Sequence, residues 1–93
     1  MGMEQRMAEL LRSALEPEEL EIFNESHLHK GHSGDDGSGD SHYILIIVSS
    51  RFQGLSRLQR HRWVTKILGS DVEKIHALSL KLLTPVEKNQ HQT

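Results

Sequence analysis

The 93-residue chain has no cysteine, so it can supply no disulfide, thiolate ligand or thiol nucleophile. That count is compatible with a reducing compartment without requiring one. Aromatic residues are only four, Phe23, Tyr43, Phe52 and Trp63, which leaves few candidates for stacking on nucleic-acid bases. No apolar stretch approaches the roughly 20 residues that span a bilayer; the run Tyr43 to Val48 is far too short. No N-terminal segment shows the charged-then-apolar pattern of a signal peptide. Gly2 follows Met1, but Arg6 stands where a myristoylation pattern wants Ser or Thr. The expectation is a cytoplasmic protein with no membrane association, an organelle being left open. The length fits one small domain, over residues 1–88.

Charge is present but unevenly placed. The net of −2 combines ten acids against three bases in residues 1–50 with eight bases against three acids in residues 51–93. Between Arg51 and Lys66 there are five bases and no acid. Such a run is either a solvated helix face or a docking surface for an acidic partner or phosphates, with Arg57, Arg60, Arg62 and Lys66 as its candidates.

Along the chain, Met3, Met7, Leu10, Leu11, Ala14 and Leu15 recur at helical spacing. Pro17 ends that helix, because the residue before proline is pushed out of helical geometry. Leu20, Ile22 and Phe23 begin a strand running toward Asn24 and Glu25. Residues 27–41 hold four of the seven glycines and read as a flexible linker; their acidic part lacks the alternation and closing Glu of a calcium loop. Residues 42–49 are apolar on both alternate sets, which suits a central strand or one whose second face meets a partner. A helix from an N-cap at Ser56 to Leu68 stops at Gly69, and Asp71 to Ile75 form a short helical turn. Leu78, Leu80 and Leu82 alternate with Ser79 and Lys81 as a third strand. Thr84-Pro85-Val86-Glu87 is a capping box with proline at the first helical position, and residues 89–93 read as a frayed tail. The order α-β-β-α-α-β-α predicts a two-layer α+β domain, helices on one face of a three-stranded mixed sheet.

Seven histidines stand against no cysteine, and imidazole both ligates metals and titrates near neutral pH. His61 shares a helical stripe with Leu58, Val64 and Leu68 and reads as a packed residue with a satisfied ring nitrogen. His42 and His91 read as bystanders. His27, His29 and His32 cluster in the loop, where a solvated polar segment and a compact zinc site completed by a further ligand both remain open. His76, by itself, is an ordinary strand-end histidine.

Several of these residues fall into a wider pattern. Ser41-His42-Tyr43, Val48-Ser49-Ser50-Arg51-Phe52-x-Gly54 and Arg60-His61-Arg62 resemble the signature of the BolA-like family. So do Asn24-Glu25-Ser26, Ile75-His76-Ala77-Leu78 and Thr84-Pro85, and the likeness runs from about residue 5 to residue 88. The resemblance implies a type-II KH-like fold. It departs from RNA-binding KH domains, whose Gly-x-x-Gly loop clamps a nucleic-acid backbone; here the turn is Gly69-Ser70-Asp71-Val72.

The resemblance also implies a regulatory or iron–sulfur trafficking role. In such proteins the histidine matching His76 ligates iron, and a loop residue matching His29 gives a second ligand, His32 or His27 being the alternates. The implied partner is a monothiol glutaredoxin, which with glutathione supplies the thiolates of a shared [2Fe-2S] cluster. The expectation is a non-enzymatic chain, monomeric alone and heterodimeric with the glutaredoxin. The alternative is a DNA-binding transcriptional regulator using a helix–turn–helix-like segment over residues 56–76. A hydrolase is disfavoured, since no nucleophile elbow or phosphate loop is present.

Overall fold

A computed structural model of the chain describes residues 2–25, 42–75 and 77–91. Helix α1 spans Met3–Leu15, strand β1 Glu19–Asn24 and strand β2 His42–Val48. A 3-10 turn over Ser50–Phe52 precedes α2, Arg57–Leu68. A 3-10 segment, Gly69–Lys74, leads to β3, Ala77–Leu83, and α3 is Pro85–His91. The expected α+β architecture is therefore observed. Helix α3 continues past Asn89 to His91, where the sequence suggested fraying, because its first turn is doubly anchored as described below.

The sheet order is β1-β2-β3, with β2 central, antiparallel to β1 and parallel to β3. Alternation along β2 places Tyr43, Leu45 and Ile47 in the core and leaves Ile44 and Ile46 half-buried on the other face. Met3, Met7, Leu11 and Leu15, one residue per helical turn, bury the inner face of α1 against this layer. Each such side chain removed from water contributes roughly 1.5–3 kcal/mol. Leu10 lies on the margin of the stripe and is exposed.

Pro17 lies just beyond α1, as the sequence predicts, but the chain turns at Glu16. Its φ of 43° and ψ of 57° are left-handed, a conformation costly for a residue with a Cβ. The motif Ser49-Ser50-Arg51 supports that turn. The buried Ser49 hydroxyl donates to the Leu15 carbonyl at 2.7 Å, and Arg51 Nη1 donates to the Ala14 carbonyl at 3.1 Å. Arg51 Nη2 also pairs with the Glu16 carboxylate at 2.9 Å. Two carbonyls of the last turn of α1 are thus satisfied from 34 and 37 residues away. The Ser49 oxygen additionally accepts the Arg51 amide at 3.2 Å, starting the 3-10 turn.

Ser49→Ala removes both bonds and leaves a buried carbonyl unpaired, at a cost of about 1–2 kcal/mol. Urea denaturation should show a lower midpoint with an unchanged slope; an unchanged midpoint would show that this tie contributes nothing.

Candidate functional site

Two regions carry the residues singled out from the sequence. The first is the end of the sheet where β1 finishes and β2 and β3 begin. Asn24 faces Tyr43 across the antiparallel pair, its Nδ2 donating to the phenol oxygen at 3.3 Å. The Glu25 amide donates to the His42 carbonyl at 2.9 Å, extending the ladder by one rung. On the other side His42 is in register with Ala77. Glu25 and His42, which bracket the loop, and Ile75 and Ala77, which bracket position 76, therefore belong to one end of one sheet. His76, His29, His32 and His27 themselves lie outside the described residues. Among the described residues no group of three His, Cys, Asp or Glu side chains could hold a metal.

The second region is the surface of α2. Ser56 caps it as expected, accepting the Gln59 amide at 3.1 Å while Gln59 Oε1 accepts the Ser56 amide at 2.8 Å. The helix is turned differently from the stripe expected for it. Its buried residues are Arg60, Val64 and Leu68, whereas His61 is exposed and Leu58 is 56% exposed. His61 is thus not the packed residue its spacing suggested.

The reason is Arg60, only 8% exposed. Its Nε donates to the Leu55 carbonyl at 3.0 Å and its Nη1 to the Leu82 carbonyl at 3.1 Å. The same guanidinium grips Glu87 bidentately, at 2.6 and 3.2 Å, and lies 5.8 Å from the centre of the Phe52 ring. Phe52 in turn meets Trp63 edge to face, with ring centres 6.0 Å apart. A buried cation needs this degree of satisfaction, and arginine's planar fork can provide it. Turning Arg60 inward moves Leu58 and His61 to the margin.

Arg60 therefore leaves the set of surface bases. The other three do not form one patch: Arg62 and Lys66, four residues apart, share a face, while Arg57 turns toward β3. In the helix–turn–helix-like segment α2 is followed, where a short helical turn was expected, by a six-residue 3-10 segment in place of a second α-helix. Asp71 in that segment is buried and paired with Arg6 of α1 at 3.4 Å.

Glu87 completes the capping box of α3, accepting the Thr84 amide at 2.8 Å while its own amide donates to the Thr84 hydroxyl at 3.2 Å. The Arg60 hydrogen bonds, followed by that from the Thr84 backbone, pull the Glu87 carboxyl down to about 2. Its role as the counter-ion of Arg60 escaped the sequence reading, although its place in the box did not. Lys88, the next residue, pairs with Glu19 of β1, so α3 is anchored to both α2 and β1.

Compared with known proteins, residues 11–87 match the family model described as BolA-like protein. The chain belongs to the BolA-like family. An uncharacterized protein in the cobS 5' region of Sinorhizobium sp. is 42% identical, over 94% of this chain and 96% of its own. The DNA-binding transcriptional regulator BolA of Haemophilus influenzae is 36% identical, over 100% of this chain and 88% of its own. Among solved structures, BolA1 from Arabidopsis thaliana superposes with a TM-score of 0.81 at 36% identity, covering 94% of this chain and 96% of that one. The BolA-like membership and fold expected from the sequence motifs are thereby established.

Arg60→Met keeps the apolar stem but strips Glu87, Leu55 and Leu82 of their donor, and should destabilise the BolA-like domain by about 3 kcal/mol. Thermal unfolding checks this; a loss below about 0.5 kcal/mol would mean that water replaces the guanidinium.

A second expectation concerns acid. The Glu87 carboxyl titrates lower when folded than its ordinary 4.5, so the linked stability is complete above that value and is lost as pH falls toward 2. Its side chain is 38% exposed, so screening reduces the effect. Glu87→Gln should flatten the decline of the denaturation midpoint between about pH 5 and 2; an unchanged profile would assign acid sensitivity elsewhere.

Proposed function

We propose that this BolA-like protein is a non-enzymatic partner of a monothiol glutaredoxin, with which it shares a [2Fe-2S] cluster in iron–sulfur trafficking. The observation that carries this reading is the pairing of His42 with Ala77, together with the Glu25–His42 rung. It brings the two ends of the histidine-bearing loop and the two neighbours of position 76 to one end of the sheet. His76 and His29 are the ligands this reading assigns, with His32 and His27 as alternates for the latter. The donor chemistry is consistent with it. A chain without cysteine offers imidazole only, so the thiolates come from the glutaredoxin and glutathione. Imidazole in place of thiolate makes such a cluster less negative and raises its reduction potential. This chain's contribution is to hold ring nitrogens neutral and oriented, and affinity should fall as pH drops through imidazole titration, near 6.5 in the unperturbed ring.

The test is to add the protein to a cluster-loaded monothiol glutaredoxin and record visible circular dichroism. The wild type should change the spectrum, His76→Ala should leave it nearly unaltered, and His29→Ala should give an intermediate or absent change. A wild-type response from His76→Ala would overturn the ligand assignment.

A second reading is DNA binding, favoured by the name of the Haemophilus influenzae relative and by the exposed Arg62 and Lys66. Phosphate contacts by these bases would give a steep salt dependence, and Arg62→Ala should lower the slope of log affinity against log salt by about 1. Titration of a fluorescent duplex at several salt concentrations reads this directly; a flat salt dependence counts against regulation through DNA.

A further inference from the structure

Beside the edge of β3 that no described strand covers lies a groove of about 810 Å³, walled by α2 on one side and α3 on another. Leu80 and Leu82 form part of its floor, and Leu58, 56% exposed, stands on its α2 wall. Burying Leu58 is not needed to close the core, because α2 packs through Val64 and Leu68 instead.

Among the described residues the backbone here is also open. On the β2 side, the Leu83 carbonyl accepts the Ser49 amide at 2.9 Å, so alternation turns the amides and carbonyls of Leu80 and Leu82 outward. Arg60 occupies the Leu82 carbonyl. That fixes one end of the edge and leaves the peptide groups of Leu80 and the amide of Leu82 facing the groove. Across β2 on the Lys81 face lie Glu19, paired with Lys88, and Glu21, but the charges of the groove's own lining that lack an ion-pair partner among the described residues are positive. Arg57 and Lys81 are exposed and have no ion-pair partner among the described residues, while Glu87, the acid of the lining, is committed to Arg60.

We propose that this groove binds an extended peptide segment of a partner protein, alternating apolar and acidic residues, which adds to β3 as a fourth strand. Strand addition supplies affinity through main-chain hydrogen bonds and specificity through alternate side chains. Here one set of the peptide's side chains falls on the α2 side, against Leu58, and the other falls on the Lys81 side. The first should therefore be apolar and the second acidic. Arg57 adds to the attraction, and the occupied Leu82 carbonyl limits pairing to the part of β3 that precedes it. The inference goes beyond the glutaredoxin reading and does not rest on any histidine.

The probe is a fluorescein-labelled ten-residue peptide alternating Asp and Val, titrated with the full chain and followed by anisotropy, without iron, glutathione or glutaredoxin. Saturable binding is expected. Leu58→Asp should weaken it about tenfold and Lys81→Glu by about three- to tenfold, and Lys81→Glu should bind better to a peptide with Lys in place of Asp. A peptide N-methylated at alternate amides should lose about tenfold, since it cannot complete the ladder. In amide spectra the Leu80 signal should shift and exchange more slowly with solvent. The proposal is overturned if no saturable binding occurs, if the Leu58 and Lys81 variants bind as the wild type does, or if the N-methylated peptide binds equally well. Shifts centred on Leu20 and Ile22 of β1, at the other edge of the sheet, overturn it too. A dimer of the free protein in sedimentation that Leu58→Asp dissolves would instead assign the groove to a second copy of the chain.

Discussion

A single buried guanidinium organises the packing of this small domain. Arg60 gathers the Leu55 carbonyl before α2, the Leu82 carbonyl of β3 and the carboxylate that caps α3. Desolvating an arginine is expensive, and the cost is met only when nearly every donor has a partner. That condition constrains three elements at once. The connection before α2 must place a carbonyl, β3 must be an edge strand with a carbonyl facing outward, and α3 must begin where Glu87 can reach back. Replacing any one partner would leave part of the fork unmet, so the elements depend on each other more than their apolar contacts require.

The orientation of α2 follows from the same constraint, and the surface follows from the orientation. With Arg60, Val64 and Leu68 inward, one turn of helix presents Arg57, Leu58 and His61 toward β3. Another face carries Arg62 and Lys66. The basic run that looked like one feature in the sequence therefore divides into a structural cation, a groove wall and a separate exposed pair. Net charge along a segment describes none of these, because rotation by 100° per residue distributes neighbours to different environments.

What could be read from the sequence was mainly local. The N-cap at Ser56 and the capping box of Thr84 with Glu87 depend on side chains within three residues, and both formed as read, whereas the closing of a second box by Gln59 was not read. The end of α1 near Pro17 and the central place of β2, apolar on both alternate sets, were legible for the same reason: each depends on short-range sterics or a fixed period. The fork of Arg60 on Glu87, the tie from Ser49 to Leu15 and the pair of Arg6 with Asp71 join residues 27, 34 and 65 positions apart. No periodicity encodes such partners. His61 was misread because a hydrophobic stripe through Leu58 fitted the spacing as well as the true one, and only tertiary packing chose between them. For the candidate site, the resemblance pointed to His76 and His29, with His32 and His27 as alternates, all outside the described residues. The structure adds where the chain on either side of them converges.

The division between the two ends of the sheet has a functional consequence. Strands β2 and β3 run parallel in register from His42 and Ala77 to Val48 and Leu83, a length of roughly 20 Å at about 3.3 Å per residue. The Arg60 fork and the Ser49 ties lie at the far end, whereas the histidine-bearing segments leave from the near end. Stability is thus concentrated away from the segments proposed to exchange ligands. The bonds that Ser49, Arg51 and Arg60 make to α1, β3 and α3 involve none of residues 26–41, so a loop that opened to a cluster under the proposed function would leave them in place. The hairpin rung at Glu25 and the Asn24–Tyr43 bond are the last described ties of the antiparallel pair at this end. Under the proposed function, ligands carried next to this end of the sheet, on a loop tethered at Glu25 and His42, would meet locally, since the entropy of loop closure is already spent when the hairpin forms.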